Sequence, residues 1–204
     1  MRWSPIVELR QYALHPGKRD VLIDLFDREL VETQEEVGMK VIGQFRDLDD
    51  PDRFVWLRGF RDMQARAESL AAFYGGPVWK AHSKAANATM IDSENVLLLR
   101  PAREGSAFAL DGARGSRGGF VLATVLPLEA ASSFEGEGSI LGSFVTEESE
   151  NTFPSLPVRE GESVFVLFAG FADRDVLDRA AERQTDRATE VLRLEPTSRS
   201  LLGA

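Results

Sequence analysis

From Ile6 to Leu14 the side chains divide by alternation. Val7, Leu9, Gln11 and Ala13 fall on one face, and Ile6, Glu8, Arg10, Tyr12 and Leu14 on the other. That two-residue period predicts a strand, and His15-Pro16-Gly17 ends it. The period then lengthens. Over residues 18–37, Leu22, Leu25, Phe26, Leu30 and Val37 recur near every 3.6 positions on an acidic helix, with Gly38 where such a helix stops. Further strands are predicted over residues 41–46, 54–60 and 94–100. A helix over residues 63–73 is capped by Asp62, and another over residues 77–87 opens on Pro77. The order β-α-β-β-α-β is the split βαβ of a ferredoxin-like sandwich.

The pattern then recurs. Phe54-Val55-Trp56-Leu57-Arg58-Gly59-Phe60-Arg61-Asp62 returns as Phe165-Val166-Leu167-Phe168-Ala169-Gly170-Phe171-Ala172-Asp173. Each copy starts Phe-Val and ends Gly-Phe-x-Asp, and the offset is 165 − 54 = 111 residues. Around the second copy, residues 120–126, 140–144 and 191–196 read as strands and residues 175–189 as a helix. The chain is therefore predicted to be α+β, two tandem ferredoxin-like units over residues 1–102 and 119–204. Residues 103–118, rich in Gly, Ser and Arg, have the composition of a linker. The units differ in one element. Residues 15–40 separate the first two strands of unit one, whereas residues 127–139 separate those of unit two, so its first helix is predicted to be badly shortened.

Composition narrows the functions. With 204 residues and 43% hydrophobic content, the chain can bury a substantial core. Its formal charge of −9 with no basic stripe argues against nucleic acid and against an anionic membrane surface. No apolar run approaches the roughly 20 residues of a spanning helix. The absence of Cys excludes a disulfide framework, a thiol nucleophile and a zinc-thiolate site. A soluble cytoplasmic protein is expected. Asp47, Asp49, Asp50 and Asp52 lack the spacing of a calcium loop and read as a solvated hairpin turn. Gly115-Ser116-Arg117-Gly118-Gly119 lacks the ending of a phosphate loop.

Val7-Glu8-Leu9-Arg10-x-Tyr12, Pro16-Gly17, Val41-Ile42-Gly43-x-Phe45, the 54–62 signature and Phe73-Tyr74-x-Gly76-Pro77-x-Trp79-x-x-His82 together resemble the NIPSNAP family. The resemblance implies a dimeric α/β barrel, closed here within one chain, in a superfamily that includes cofactor-free monooxygenases, polyketide cyclases and haem-binding proteins. If the apolar strand faces meet the helices, then Glu8, Arg10, Tyr12, Trp56 and Arg58 point into the lumen, joined by Gln44 or Arg46. The aligned positions of unit two, Leu122, Thr124, Leu126, Leu167 and Ala169, would form an apolar wall opposite.

The function expected from this arrangement is binding of a small aromatic or polyketide-like ligand in the lumen, in a monooxygenase- or cyclase-like enzyme. Arg10 or Arg58 would hold an enolate or carboxylate, and Tyr12 and Trp56 would pack on the ring. His82, beside Tyr74 and Trp79, or Glu8 would move a proton. No metal and no cofactor are expected. Haem, with His82 as axial ligand, and a homodimer stay open alternatives. Against this stands a filled, non-catalytic barrel acting as a scaffold, in which Glu8, Arg10 and Arg58 are only an ion-pair network and His82 only a packed side chain.

Overall fold

The computed structural model describes residues 5–110, 114, 118–134 and 136–204. Its strands are β1 (Ile6–Leu14), β2 (Lys40–Asp47), β3 (Arg53–Phe60), β4 (Met90–Pro101), β5 (Phe120–Pro127), β6 (Ser139–Thr146), β7 (Val164–Phe171) and β8 (Glu190–Pro196). They close into one barrel in the order β1-β3-β2-β8-β5-β7-β6-β4, every pairing antiparallel. Within each half the order is 4-1-3-2, so β2 joins β8 and β4 joins β6. Two ferredoxin-like sheets thus complete each other's edges, and no strand is left with an open ladder.

The helices follow their sequence signals. Lys18 leads into α1 (Arg19–Leu25), a π-helical turn (Phe26–Leu30) and α2 (Val31–Glu36). Gly38 closes this run at φ +97, a conformation that suits glycine, with its N–H donating to Glu35 O. Asp62 caps α3 (Met63–Gly75) by accepting from Ala65 N–H at 2.6 Å, and Asp173 caps α5 (Arg174–Gln184) in the same way. Pro77 opens α4 (Pro77–Asn87). In the second half a single 3₁₀ stretch, Leu128–Ser133, replaces the first helical run, as the short connection required. Two aspartates of the β2–β3 turn accept from backbone, Asp47 Oδ1 from Asp49 N–H and Asp50 Oδ1 from Asp52 N–H, while Asp49 pairs with Arg193.

The lumen is a packed core. Val7, Leu9, Ile42, Phe45, Val55, Leu57, Leu97, Leu99, Val121, Ala123, Val125, Phe144, Val166, Phe168, Leu192 and Leu194, drawn from all eight strands, form one buried cluster. An eight-stranded barrel has room for little else. Phe108, from the stretch that has a linker's composition, completes it against Phe144 and Phe168 at 4.7 and 5.1 Å. The rest of that stretch at 111–113 and 115–117, including part of the phosphate-loop look-alike, lies outside the described residues.

This corrects the expected orientation. Glu8, Arg10, Tyr12, Trp56 and Arg58 point outward, under the helices of the first half, while the Val7 and Leu9 face lines the lumen. The reason is solvation. The aliphatic and phenyl cluster that fills the lumen holds no partner for a charge, Gln11 on the same face of β1 turning to Glu190, whereas the helices bring Gln34, Arg66 and Tyr74 to the outer face. The helical layers of the halves are separate. α1, the π-turn, α2, α3 and α4 cover β1, β3 and β4, and α5 covers Leu122, Ala169 and Phe171. No opposed polar and apolar walls face each other across the barrel.

Candidate functional site

Strand pairing assembles the site. In the β1–β3 ladder Glu8 lies opposite Arg58, Arg10 opposite Trp56, and Tyr12 opposite Phe54, with all six side chains buried. Directly opposed side chains stand close enough for contact. Glu8 Oε2 accepts from Arg10 Nη1 at 2.7 Å and from Arg58 Nε at 2.6 Å. Its Oε1 accepts from Arg66 Nε at 2.7 Å. Arg66 comes from α3, where it shares the buried stripe with Leu70 and Phe73. One carboxylate therefore faces three guanidinium groups, and all four side chains are at most 1% exposed.

The remaining contacts of the arginines are neutral. Arg10 Nε donates to Tyr12 Oη at 3.0 Å, and its Nη2 reaches Ser93 O at 3.4 Å. Arg58 Nη1 reaches Gln34 Oε1 and Tyr74 Oη, both at 3.4 Å. Its guanidinium lies 5.2 Å from the Trp56 ring, and that of Arg10 lies 5.7 Å from the same ring. Nη2 of Arg58, Nη2 of Arg66 and Nε1 of Trp56 are buried with no acceptor among the described residues. Burying an ion costs several kcal/mol even after relaxation. A cation over an aromatic face returns only about 0.5–2 kcal/mol. The rings therefore offset part of the burden and leave a net excess of two positive charges.

Burial works to raise the Glu8 carboxyl, but Arg58, Arg10 and Arg66 overcome it and hold Glu8 far below the usual carboxylate range. Burial works to lower Arg10, and Tyr12 and Glu8 more than reverse it. Arg66 ends below its ordinary value because burial and its two neighbouring arginines outweigh Glu8. Burial raises the Tyr12 hydroxyl, keeping it protonated. Glu8 is thus a fixed counter-ion, not a proton acceptor.

Beside the cluster lies a cavity of about 20 Å³, large enough for about one water. Tyr12, Phe26, Trp56, Phe73, Tyr74 and Trp79 give it aromatic walls, closed by Gln34, Met90 and aliphatic side chains of the helical run. Phe26 and Leu30 of its lining belong to the π-helical turn. The layer that holds it is roofed from the second half. Asn151 Oδ1 accepts from Arg66 Nη1 at 2.9 Å, and Thr152 Oγ1 donates to Met63 O at 3.1 Å. Phe153 stacks on Tyr74 at 6.0 Å and 25°, and Leu156 and Val158 pack on the same layer.

Glu8, Arg10, Tyr12, Trp56, Arg58, Tyr74 and Trp79, all picked out in the sequence, converge here. Two other positions do not. Gln44 turns to Asp27 at 3.2 Å, away from the cavity, and its neighbour Arg46 pairs with Asp20. His82 stands on the outer side of α4, about a third exposed, with Nε2 3.5 Å from Glu29 Oε2. It is not among the side chains that line the cavity. Among the described residues, no three His, Cys, Asp or Glu side chains converge as a metal site. Arg66, Gln34 and the 151–153 roof escaped the sequence reading. The first two had left a signal, a polar residue inside each helix's apolar stripe.

The NIPSNAP family model matches residues 7–104. A solved NIPSNAP family protein of unknown function from Agrobacterium tumefaciens is 21% identical, covers 53% of this chain and 97% of its own, and has a TM-score of 0.47. Two structures described as candidate monooxygenases span the whole barrel. The one from Fusobacterium nucleatum is 11% identical, covers 100% of this chain and 98% of its own, and has a TM-score of 0.56. The one from Lactobacillus acidophilus is 14% identical, covers 98% of each chain, and has a TM-score of 0.55. These last two share the fold. No curated protein matches the chain. No helix among the described residues is long and apolar enough to cross a membrane.

Proposed function

Residues 7–104 belong to the NIPSNAP family, and from that premise we propose that the first half binds a small aromatic molecule between its sheet and its helices. The observation that carries this reading is the aromatic cavity itself, on whose floor the buried Trp56 Nε1 has no acceptor among the described residues. The space between Phe26, Phe73, Tyr74 and Trp79 holds about one water, so a flat ring stacks among them only as these walls part, and one acceptor on it would then satisfy the indole. The lumen has no part in binding.

The chemistry that fits the site is electrostatic. Arg10 and Arg58 lie behind the Tyr12, Trp56 and Tyr74 side of the cavity wall, and in this reading their field stabilises negative charge developing on a bound ring, as in an enolate formed during a monooxygenase- or cyclase-like reaction. Neither Glu8 nor His82 supplies the base in this reading. Native mass spectrometry on gently purified protein tests it. A stoichiometric bound mass is expected, and Trp56→Phe, which keeps a ring and removes the donor, should deplete it at least tenfold without changing the circular dichroism spectrum. A bare chain, together with no melting-temperature shift from any aromatic probe, would favour the second reading. That reading is a non-catalytic scaffold, and the observation on its side is the barrel filled by its own side chains.

A further inference from the structure

We propose that Thr152 is a phosphorylation site, whose phosphate fastens the 151–153 roof to Arg66. This goes beyond the binding reading above and does not depend on it. Three buried guanidinium groups share the one carboxylate of Glu8, and their other contacts are hydroxyls, amides, a backbone carbonyl, a thioether and rings. Among the described residues, the hydroxyls that touch these groups are those of Tyr12, Tyr74 and Thr152, and of the three only Thr152 is an exposed residue. Its Oγ1 accepts from Arg66 Nη1 at 3.3 Å and donates to Met63 O at 3.1 Å. Thr152 is where the buried charge reaches the surface.

The segment is open to an enzyme. Residues 147–163 form neither helix nor strand, and Ser149, Glu150, Pro154 and Ser155 around Thr152 are exposed. A protein kinase would transfer the γ-phosphoryl group of a nucleoside triphosphate to Oγ1. The new P–O bond forms as the bond to the β-phosphate oxygen breaks, the hydroxyl proton passes to the kinase's base, and the nucleoside diphosphate leaves. The ester gives up the donation to Met63 O and brings a charge of about −1.5 to −2 against Arg66. That answers the excess of two cations, and charge-assisted bonds are roughly twice as strong as neutral ones. Arg66 Nη2, buried and without an acceptor among the described residues, leaves N–H groups unclaimed on the same guanidinium. Glu148 and Glu150 are exposed, so water and salt screen their repulsion. The fold does not require a buried cation here. In α5 the buried Leu177 stands four residues after the capping Asp173, where α3 has Arg66 after Asp62.

Two measurements on the full chain test this. Mass spectrometry of the protein from its own cells, growing and starved, is expected to find phosphate on Thr152. Protein made with phosphothreonine at position 152 is expected to melt at least about 3 °C higher than the unmodified chain, and Arg66→Met should abolish that gain. Should Arg66→Met fold poorly, phosphorus NMR of the phosphorylated chain reads the same contact without it. Beside a guanidinium the second pKa of the phosphate falls below its usual value of about 6, and urea restores it. A chain with no phosphate on Thr152 in either state of the cells overturns the modification. A phosphate there with an unshifted pKa and no gain in melting temperature overturns its contact with Arg66.

Discussion

The two halves of this barrel pair their strands alike and bury the same kind of lumen face, yet their outer faces have gone separate ways. Where the first half stacks Glu8, Arg10 and Trp56 beneath a double layer of helix, the second places Leu122, Thr124 and Leu167 beneath α5 and one 3₁₀ turn. Lumen positions answer to both halves at once, because each side chain there touches residues across the barrel. Outer positions answer to the helices and loops above them, which differ between the halves, so they are free to change. The second half retains a structural share in the first, since its 151–153 segment roofs the layer at Met63, Arg66 and Tyr74.

Four substitutions test this contrast, taken from the largest expected effect downward. Glu8→Gln leaves three buried cations without their counter-ion and should cost about 3–5 kcal/mol in urea unfolding. Because Glu8 is held far below its ordinary value of 4.5, its contribution is present in full above that value and fades as pH falls toward the folded one. The unaltered protein should therefore lose stability between about pH 5 and pH 3 more steeply than the Gln variant. A parallel decline in the two would remove Glu8 from its place as counter-ion.

Phe108→Ala opens the lumen core and should cost about 3–5 kcal/mol, with the affinity for an aromatic probe unchanged at temperatures where the variant is folded. Loss of affinity there would return the ligand to the lumen. Phe153→Ala thins the roof; stability should drop by about 1 kcal/mol and the dissociation rate of a bound probe should rise. An unchanged rate would separate the roof from the site. His82→Ala breaks a contact with Glu29 that is about a third exposed and should change stability by less than about 0.5 kcal/mol. Turnover or binding lost in that variant would restore it to the site.

Most of the architecture was legible because repetition and periodicity are local. Gly-Phe-x-Asp announced a strand and its capped helix twice, and the spacing of 15–40 against 127–139 announced the missing helix. Which strand face looks inward was not legible from one strand. Glu8-Arg10-Tyr12 and Val7-Leu9 alternate equally well either way round, and only the closure of eight strands on a dry lumen decides between them. The membership of the charged cluster was legible in part. Opposed strands at the register of Glu8 and Arg58 follow from the fold, whereas Arg66 arrives from a helix and Asn151 from a loop of the other half, contacts no local pattern encodes.

The roof carries a consequence for rates. A cavity of about 20 Å³, with Phe153 stacked on its Tyr74 wall, admits an aromatic ring only after that segment lifts. Association should then rise with probe concentration and level off at the lifting rate, a ceiling that stopped-flow fluorescence would read directly. A hyperbola in place of a straight line would give the time that one half of the chain takes to open the other.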